Sequence, residues 1–323
     1  MLDSMLRAVK PDYVQVDSKG HPGISSYLTR VGRPAPDFIK DPLRLLRQVT
    51  TRYGVVLYVH HSGVYDRQAV RMHPEWATVG ANGQRDSIYT SVHSSYSDQL
   101  LIPQLKELSS DYGIDGAWID GEAWAIVPDY AAFLEFNRRS FGRYVKHYAD
   151  AIHAFNPQFQ VASNWAFSSL MPDPVDVPVD FLSGDLSPTN SVNSAAFEAR
   201  CLASQGRQFN KPWDLMSWGF TLNWDRTHVQ STKSVAHLSQ EAAEIMAMGG
   251  RFECYFIQNR DASIKPWQVE TMASISRFTR ARQPFCQGAL PLPQIGLLYS
   301  SASYWHVTPS VYRPWNSCPL KAC

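Results

Sequence analysis

Residues 112–124, YGIDGAWIDGEAW, combine a helix stop, a short apolar run and a cluster of carboxylates. Gly113 is expected to end the preceding helix, because glycine adopts the left-handed conformation there without a steric cost. The run 116–119 is apolar without alternation, which is typical of a parallel strand that is buried on both faces. Asp120 follows at the carboxyl end of that strand. This stretch therefore predicts an α/β fold with a carboxylate at the end of a buried parallel strand.

The position of Asp120 favours a functional site over a simple cap. A single aspartate after a strand is most often a cap for the next loop or helix. Here Trp118, Asp120 and Glu122 have the same parity, so we expect them to face the same side of the strand. In a (β/α) barrel, the carboxyl ends of the strands form the catalytic face. We therefore interpret Asp120 as part of a functional site.

The composition gives no support for a nucleic-acid or membrane partner. The 323 residues carry a formal charge of +1, with no basic run and no acidic tail. Neither a signal peptide nor a transmembrane run is visible. The five cysteines form no CxxC pair and no metal spacing, so we expect free thiols in a reducing, cytoplasmic compartment, with no metal and no cofactor. Aromatic residues make up 12% of the chain, which suits a sugar-binding cleft as well as an ordinary core.

Strands and helices are predicted to alternate along the chain. The predicted strands are 13–16, 55–59, 116–119, 159–162, 179–182, 212–218 and 251–257. A long polar loop is expected over 64–95, and Ser97 is expected to cap the helix that follows. Alternation of this kind indicates a parallel sheet and a (β/α)8 TIM barrel. Seven strands are one fewer than a closed barrel needs, and the chain opens on a helix, so we expect the missing strand to be the first.

The domain organisation follows from this pattern. We expect residues 1–285 to form the catalytic barrel. Residues 286–323 are interpreted as a linker and the truncated start of a second α/β domain, because QIGLLYS at 294–300 is typical of an opening strand. The remaining polar tail is too short to bury a core of its own.

Three motifs resemble the α-L-fucosidase type of retaining glycoside hydrolase. The most specific is QLKEL at 104–108 followed by YG at 112–113 and WIDG at 118–121. The second is WDLMSWG at 213–219, and the third, looser one is MGGR at 248–251. The resemblance covers most of residues 10–285, at low identity outside the motifs. Residues 294–300 also resemble the opening of the flavodoxin-like trimerisation domain that follows the barrel in some β-galactosidases and fucosidase relatives.

The resemblance implies an exo-acting, retaining glycosidase that removes a terminal sugar such as α-L-fucose. Its nucleophile would be the aspartate that ends strand four, and Asp120 ends strand four when one missing strand is counted. Retaining hydrolysis also needs a second carboxylate as acid and base. The family often places a glutamate after a Gly-Asp pair, where this chain has Thr189. Asp185 is the preferred acid/base, and Glu122 and Glu198 remain rivals.

The rim of the barrel is expected to bind the sugar. Histidines from the early strands hold the sugar hydroxyls in the family, and a neutral imidazole can both donate and accept a hydrogen bond. Trp118 would lie near the sugar ring, or else be a core tryptophan at the top of the barrel. The substrate-binding candidates are His21, His60, His61, Trp118, Glu122, Asn164 and Trp213.

Two other functions remain open. A carbohydrate-binding barrel without catalysis would explain the missing family glutamate. A β-galactosidase-type glycosidase would fit residues 294–300, but such enzymes carry a glutamate pair on strands four and seven, and strand four here ends in Asp120. The partner expected in each case is a glycoside or oligosaccharide, and a homo-oligomer would form through the second domain.

Overall fold

The structure is a computed structural model that describes residues 2–80, 83–120, 130–164, 166–169, 172–186, 192–222, 230–259 and 263–307. The chain divides into two compact units. The Asp120 unit consists of Tyr13–Asn164, Asp176–Val179 and Tyr299–Cys323. The Asp185 unit consists of Met1–Asp12, Trp165–Val175 and Asp180–Leu298.

Helices and strands alternate through most of the described residues. The helices are α1 (Leu2–Val9), α2 (Pro42–Tyr53), α3 (Arg67–Met72), α4 (Ile102–Tyr112), α5 (Tyr130–Phe155), α6 (Val192–Phe209), α7 (Val235–Ala247), α8 (Pro266–Cys286) and α9 (Ser301–Val307). The strands are β1 (Tyr13–Lys19), β2 (Val56–Ser62), β3 (Ala77–Val79), β4 (Arg85–Thr90), β5 (Gly116–Asp120), β6 (Gln160–Ser163), β7 (Asp185–Leu186), β8 (Asp214–Trp218), β9 (Phe220–Leu222), β10 (Gln230–Thr232) and β11 (Arg251–Tyr255).

Four parallel strands form the main sheet of the Asp120 unit, in the order β1-β2-β5-β6. Within it Asp17 pairs with His60, and Ser62 pairs with Asp120. Because the strands run in one direction, the polar residues at their carboxyl ends meet at one edge of the sheet. The four strands predicted for this part of the chain are confirmed, with small shifts at their ends.

The core of the Asp120 unit is built on one side of these strands. Leu57, Val59 and Ile119 alternate with the residues of the site and are fully buried. Helix α2 packs against β2 and against α4, and α4 packs against α5. Leu105 and Leu108 of α4 are fully buried as well. The apolar side of the sheet thus fixes the position of the strand ends on which the site lies.

Helix α2 begins and ends, and helix α4 ends, at the capping residues that the sequence predicts. Asp41 caps α2 by accepting from the backbone N–H groups of Leu43 and Arg44, and Pro42 occupies the first turn. Gly54 and Gly113 end α2 and α4 in the left-handed conformation, with φ of 63° and 62°. The turn at Gly113 directs the chain into β5, and therefore towards Asp120.

Two predictions in the Asp120 unit are wrong. The segment 64–95 is not a plain loop, because it contains α3, a short 3-10 helix at Pro74–Trp76 and the antiparallel pair β3–β4. Ser97 does not cap a helix, because Tyr96 before it is already in the helical conformation. A π-helical turn at Ser97–Leu101 leads directly into α4.

The Asp185 unit has a separate parallel sheet in the order β11-β8-β7. The strand predicted at 179–182 is found later in the chain, at Asp185 and Leu186, which pair with β8. Leu182 makes an isolated bridge to Trp213 before this strand begins. A short antiparallel pair, β9–β10, extends from the end of β8. The α/β class with parallel strands is as predicted, whereas a closed barrel remains a prediction.

The predicted strand at 294–300 is absent from the structure. These residues have no strand partner among the described residues, and Ile295 and Leu298 are each 91% exposed. A strand needs hydrogen bonds from a neighbouring strand, so the apolar pattern alone does not form one. The second domain remains a prediction.

No helix in the described part of the chain is both long and apolar enough to cross a bilayer.

A buried ion pair holds the loop that follows β2. Lys19 Nζ lies 2.9 Å from Asp66 Oδ2 and donates to Tyr96 Oη at 2.6 Å. Tyr96 Oη donates in turn to the carbonyl oxygen of Gly63 at 2.8 Å. Asp66 also caps α3 by accepting from the N–H of Ala69. Because Lys19 and Asp66 are buried, each charge depends on the other for compensation.

Replacing Asp66 by asparagine is expected to lower the free energy of unfolding by about 3–5 kcal/mol, because it leaves the Lys19 ammonium buried without a counter-charge. Urea denaturation at pH 7 measures this. The matched control is Asp150→Asn, which breaks the exposed pair with Lys146 and is expected to cost about 0.5 kcal/mol or less. Equal losses in the two variants would contradict the role of the buried pair.

Candidate active site

The site in the Asp120 unit forms where β2, β5 and β6 end. His60 and Ser62 project from the same face of β2 as Asp120 does from β5, because they lie two residues apart and Ser62 pairs with Asp120. The N–H of Gly63 donates to the carbonyl oxygen of Asp120. Asn164 follows β6, and its N–H donates to the carbonyl oxygen of Ile119. Backbone hydrogen bonds from both neighbouring segments therefore fix Asp120.

Both carboxylate oxygens of Asp120 have partners. Asn164 Nδ2 donates to Oδ1 at 2.8 Å. His60 Nε2 lies 2.9 Å from Oδ2, and His21 Nε2 lies 3.5 Å from the same oxygen. The side chain nevertheless keeps 22% of its surface exposed. Asp120 is thus held by His60 and Asn164, with His21 beside it, and is still open to a ligand.

The surroundings keep Asp120 ionised. Burial alone would raise its pKa, but the hydrogen bond and positive charge of His60 outweigh burial, with help from His21 and Asn164. The net effect holds the pKa of Asp120 well below its usual range. A carboxylate that is ionised at neutral pH and partly open is suited to nucleophilic attack.

His60 lies between two carboxylates. Its Nδ1 lies 2.6 Å from Asp17 Oδ1, and its Nε2 faces Asp120. Burial alone would lower the pKa of His60, but the two carboxylates outweigh burial and raise it to about 10. The neutral His60 expected from the sequence is therefore corrected. His60 is an imidazolium whose two nitrogens each lie within ion-pair distance of a carboxylate.

His21 fits the predicted neutral imidazole. Burial lowers its pKa, although the charge of Asp120 opposes this. Ser62 Oγ donates to the carbonyl oxygen of Tyr65 at 2.6 Å, so its contact of 2.8 Å with His21 Nδ1 requires Nδ1 to be the donor. The ring stacks on Tyr65 at a centroid distance of 4.3 Å. With 38% of its side chain exposed, His21 presents Nε2 beside Asp120 as an acceptor.

His61 is not a rim residue. It follows His60 and so points to the opposite side of β2, where it is fully buried. Ser18 Oγ donates to the carbonyl oxygen of His60 and lies 2.9 Å from His61 Nδ1, while Gln104 of α4 lies nearby. Burial lowers the pKa of His61 well below its usual range. The ring of His61 is therefore buried away from Asp120, and its contact with substrate stays a prediction.

Trp118 and Trp213 are packing residues in this structure. Trp118 lies on the site face of β5, but its ring is 3% exposed and sits 5.5 Å from the ring of His60. The core alternative for Trp118 therefore holds. Trp213 precedes the amino end of β8, away from the carboxyl ends, and closely faces Gly206 and Gly250. Trp213 is buried in the core of the Asp185 unit, and its contact with substrate stays a prediction.

The rival acid/base residues have different surroundings. Asp185 lies within β7, where Trp218 Nε1 donates to its Oδ2 at 3.0 Å. Trp218 stacks on Phe220, and Tyr255 packs edge-on against both rings. This carboxylate is therefore bordered by an aromatic cluster of the Asp185 unit.

Glu198 is buried on α6, accepts from the N–H and hydroxyl of Ser169, and has its pKa raised by burial. These hydrogen bonds occupy both of its oxygens and give it a structural role. Glu122 lies outside the described residues.

The sequence did not predict three residues of the site: Asp17, Ser62 and Tyr65. Asp17 could have been found, because it is a carboxylate near the end of a predicted strand, as Asp120 is. Ser62 and Tyr65 carry no such signal, since their roles depend on His21 from another segment. Among the described residues, no group of three or more His, Cys, Asp and Glu side chains is arranged to hold a metal ion.

Solved structures of α-L-fucosidases share this fold. Isoenzyme 2 from Paenibacillus thiaminolyticus aligns with a TM-score of 0.76 at 18% identity, over 93% of this chain and 48% of that one. The enzyme from Vibrio sp. strain EJY3 aligns with a TM-score of 0.57 at 16% identity, over 90% and 46% of the two chains. The Thermotoga maritima α-fucosidase aligns with a TM-score of 0.53 at 16% identity, over 90% and 58%.

These similarities establish the fold alone. The chain spans about half the length of the first two fucosidases. Neither a protein-family model nor a curated protein matches the sequence. Because one fold hosts many activities, the function has to be argued from the site.

Removing the amide of Asn164 is expected to raise the pKa of Asp120, because the Asn164→Ala variant loses a hydrogen bond that stabilises the ionised carboxylate more than the neutral acid. His60 remains, so Asp120 should still be ionised at neutral pH. The carboxyl ¹³C shift of Asp120, followed from pH 7 downward, measures this. Asn156→Ala is the control, since Asn156 donates to Ser109 and not to a carboxylate. Identical Asp120 titrations in all three proteins would refute the assignment.

Proposed function

We propose that this chain carries the nucleophile of an exo-acting, retaining glycosidase that releases a terminal sugar of the α-L-fucose type. One observation carries the proposal: Asp120 is an ionised, partly open carboxylate at the carboxyl end of a parallel strand, held by His60 and Asn164. The shared fold of the α-L-fucosidases supports it. One of the aligned Thermotoga maritima structures is described as a complex with fucose.

The chemistry follows from the charge of Asp120. One oxygen attacks the anomeric carbon as the bond to the leaving oxygen breaks, which forms a covalent glycosyl-enzyme. Water then attacks the same carbon and releases Asp120. His60 donates to Asp120 throughout, and the neutral His21 accepts from a sugar hydroxyl at Nε2. A low pKa of Asp120 keeps the nucleophile available in the neutral range, because protonation would remove its lone pair from the reaction.

We assign the acid/base role to Asp185. Such a carboxyl must protonate the leaving oxygen and later activate water, at about 5–5.5 Å from the nucleophile. The hydrogen bond from Trp218 orients Asp185, and the aromatic cluster of Trp218, Phe220 and Tyr255 borders it. Glu198 is disfavoured because Ser169 already occupies its carboxylate. Glu122 remains the rival.

The architecture of the whole protein belongs to the same proposal. Residues 1–285 would close as one (β/α)8 barrel, and residues 286–323 would begin a second domain through which copies of the chain associate. A cytoplasmic location is supported by Cys201, Cys254 and Cys286, which are free thiols.

Asp120→Asn is expected to lower kcat by at least about a thousand-fold, since the variant lacks the attacking oxygen charge. Release of p-nitrophenol from a panel of aryl glycosides, beginning with the α-L-fucoside, measures this. Asp98→Asn removes an exposed carboxylate of the same unit and serves as the control. Undiminished turnover by Asp120→Asn would overturn the nucleophile. Sugar binding by the wild-type chain without hydrolysis of any glycoside would instead favour a binding barrel.

Asp185→Asn is expected to slow hydrolysis in proportion to the basicity of the leaving group. A poor leaving group needs protonation, so glycosides of sugars or alkyl alcohols should lose about 10²–10⁴-fold in kcat/KM. Aryl glycosides with acidic phenols need little protonation and should lose much less in this quantity. Glu198→Gln is the matched comparison and should show no leaving-group dependence. An equal loss for both leaving groups in Asp185→Asn would remove Asp185 from the mechanism.

A further inference from the structure

Three neighbouring strands place Asp17, His60 and Asp120 in a row. Asp17 Oδ1 lies 2.6 Å from His60 Nδ1, and His60 Nε2 lies 2.9 Å from Asp120 Oδ2. Asp17 pairs with His60 in the sheet, so the first contact joins directly opposed residues of β1 and β2. Asp17 does not touch Asp120 in this arrangement, and His60 is the link between them.

We propose that Asp17 is a positioning residue that holds His60 as a doubly protonated hydrogen-bond donor against Asp120. Calling Asp120 the nucleophile rests on the proposed function, whereas the effect of Asp17 on His60 rests on the geometry alone. The proposal adds a second carboxylate to the site, on a strand that contributes no other group to Asp120.

An imidazole between two carboxylates is satisfied only when both nitrogens carry protons. A neutral ring would direct a lone pair at one of the two anions. The titratable groups that face His60 are Asp17 on β1, His21 in the loop after β1, Asp120 on β5, and His61 beside it on β2. The two histidines have lowered pKa values and are neutral at pH 7. The two carboxylates therefore determine the charge of His60.

The Asp17 carboxylate is ionised and forms an ion pair with His60. Burial alone would raise the pKa of Asp17, but the hydrogen bond and charge of His60 outweigh burial and lower it. The side chain is 52% exposed, so Asp17 can be replaced without opening a cavity. The contact is therefore electrostatic and orienting in nature.

Asp17 matters most when Asp120 is no longer charged. Formation of a bond between Asp120 and the anomeric carbon removes the charge that faces Nε2. With Asp17 alone on the other side, His60 retains a counter-charge and its proton. His60 can then donate to the glycosyl-enzyme and again to the carboxylate that water releases.

The test compares the wild type with Asp17→Asn. The amide oxygen of the variant can still accept from Nδ1, but the negative charge is lost. Two-bond ¹H–¹⁵N spectra distinguish an imidazolium from the neutral tautomers and follow His60 with pH. We expect His60 to stay charged through pH 8 in the wild type, because its raised pKa keeps the proton until about pH 10. In Asp17→Asn, the proton should be lost about 1–3 pH units earlier.

The same shift is expected in the reaction. Below its pKa, His60 faces Asp120 as a cation, and this positive charge is lost as the pH rises through that pKa, so the alkaline limb of kcat/KM should move down by the same interval. Asp17→Glu keeps the charge and should restore most of the limb. The control is Asp98→Asn, because Asp98 Oδ1 also faces a histidine, His147, at 2.6 Å on an exposed surface. It should leave the His60 titration and the limb unchanged.

Each outcome decides one of the two proposals. A neutral His60 at pH 8 in the wild type, or an unchanged His60 titration in Asp17→Asn, overturns the role of Asp17. If His60 titrates as expected but no glycoside is cleaved, the role of Asp17 on His60 stands and the glycosidase proposal fails. If glycosides are cleaved with the same pH profile in both proteins, the nucleophile stands and Asp17 is dismissed.

Discussion

The pairing register of β2 with β5 determines which side chains meet at Asp120. Ser62 lies opposite Asp120 and His60 opposite Trp118, so the ring of His60 reaches the carboxylate. Because side chains alternate along a strand, a shift of one residue would turn His60 towards α4 and bring His61 to the site. The two adjacent histidines therefore have different charges and roles. One is an imidazolium beside two anions, and the other is a neutral buried residue.

In the Asp120 unit, the exposure of each charged group to water determines whether its charge is fully neutralised by a partner. Lys19 and Asp66 are buried and form a closed pair, as a desolvated charge requires. The row of Asp17, His60 and Asp120 is partly exposed and carries two negative charges against one positive charge. Under the proposed function, such a surplus of negative charge would stabilise an oxocarbenium-like transition state, where positive charge develops on the sugar ring.

In the Asp185 unit, a buried lysine is likewise paired with a buried carboxylate. Lys233 Nζ lies 2.7 Å from Glu241 Oε1, and Ser217 at the end of β8 donates to the other oxygen of Glu241. This buried pair joins the strand end to α7. In both units, a lysine–carboxylate pair thus stabilises the carboxyl ends of the parallel strands, whereas Asp120 and Asp185 are less buried.

The sequence by itself determined the four strands of the Asp120 unit, both ends of α2, the end of α4 and the placement of Asp120. Asp41, Gly54 and Gly113 act over a few residues of the chain, so their signals are visible without the fold. Only the tertiary structure decided which groups surround Asp120. His60 lies 60 residues from it in the chain and Asn164 lies 44, so these contacts depend on strand order and register. The same reason explains why the burial of His61 and Trp213 was not predicted: whether a side chain reaches a site depends on long-range pairing, which local sequence patterns do not encode.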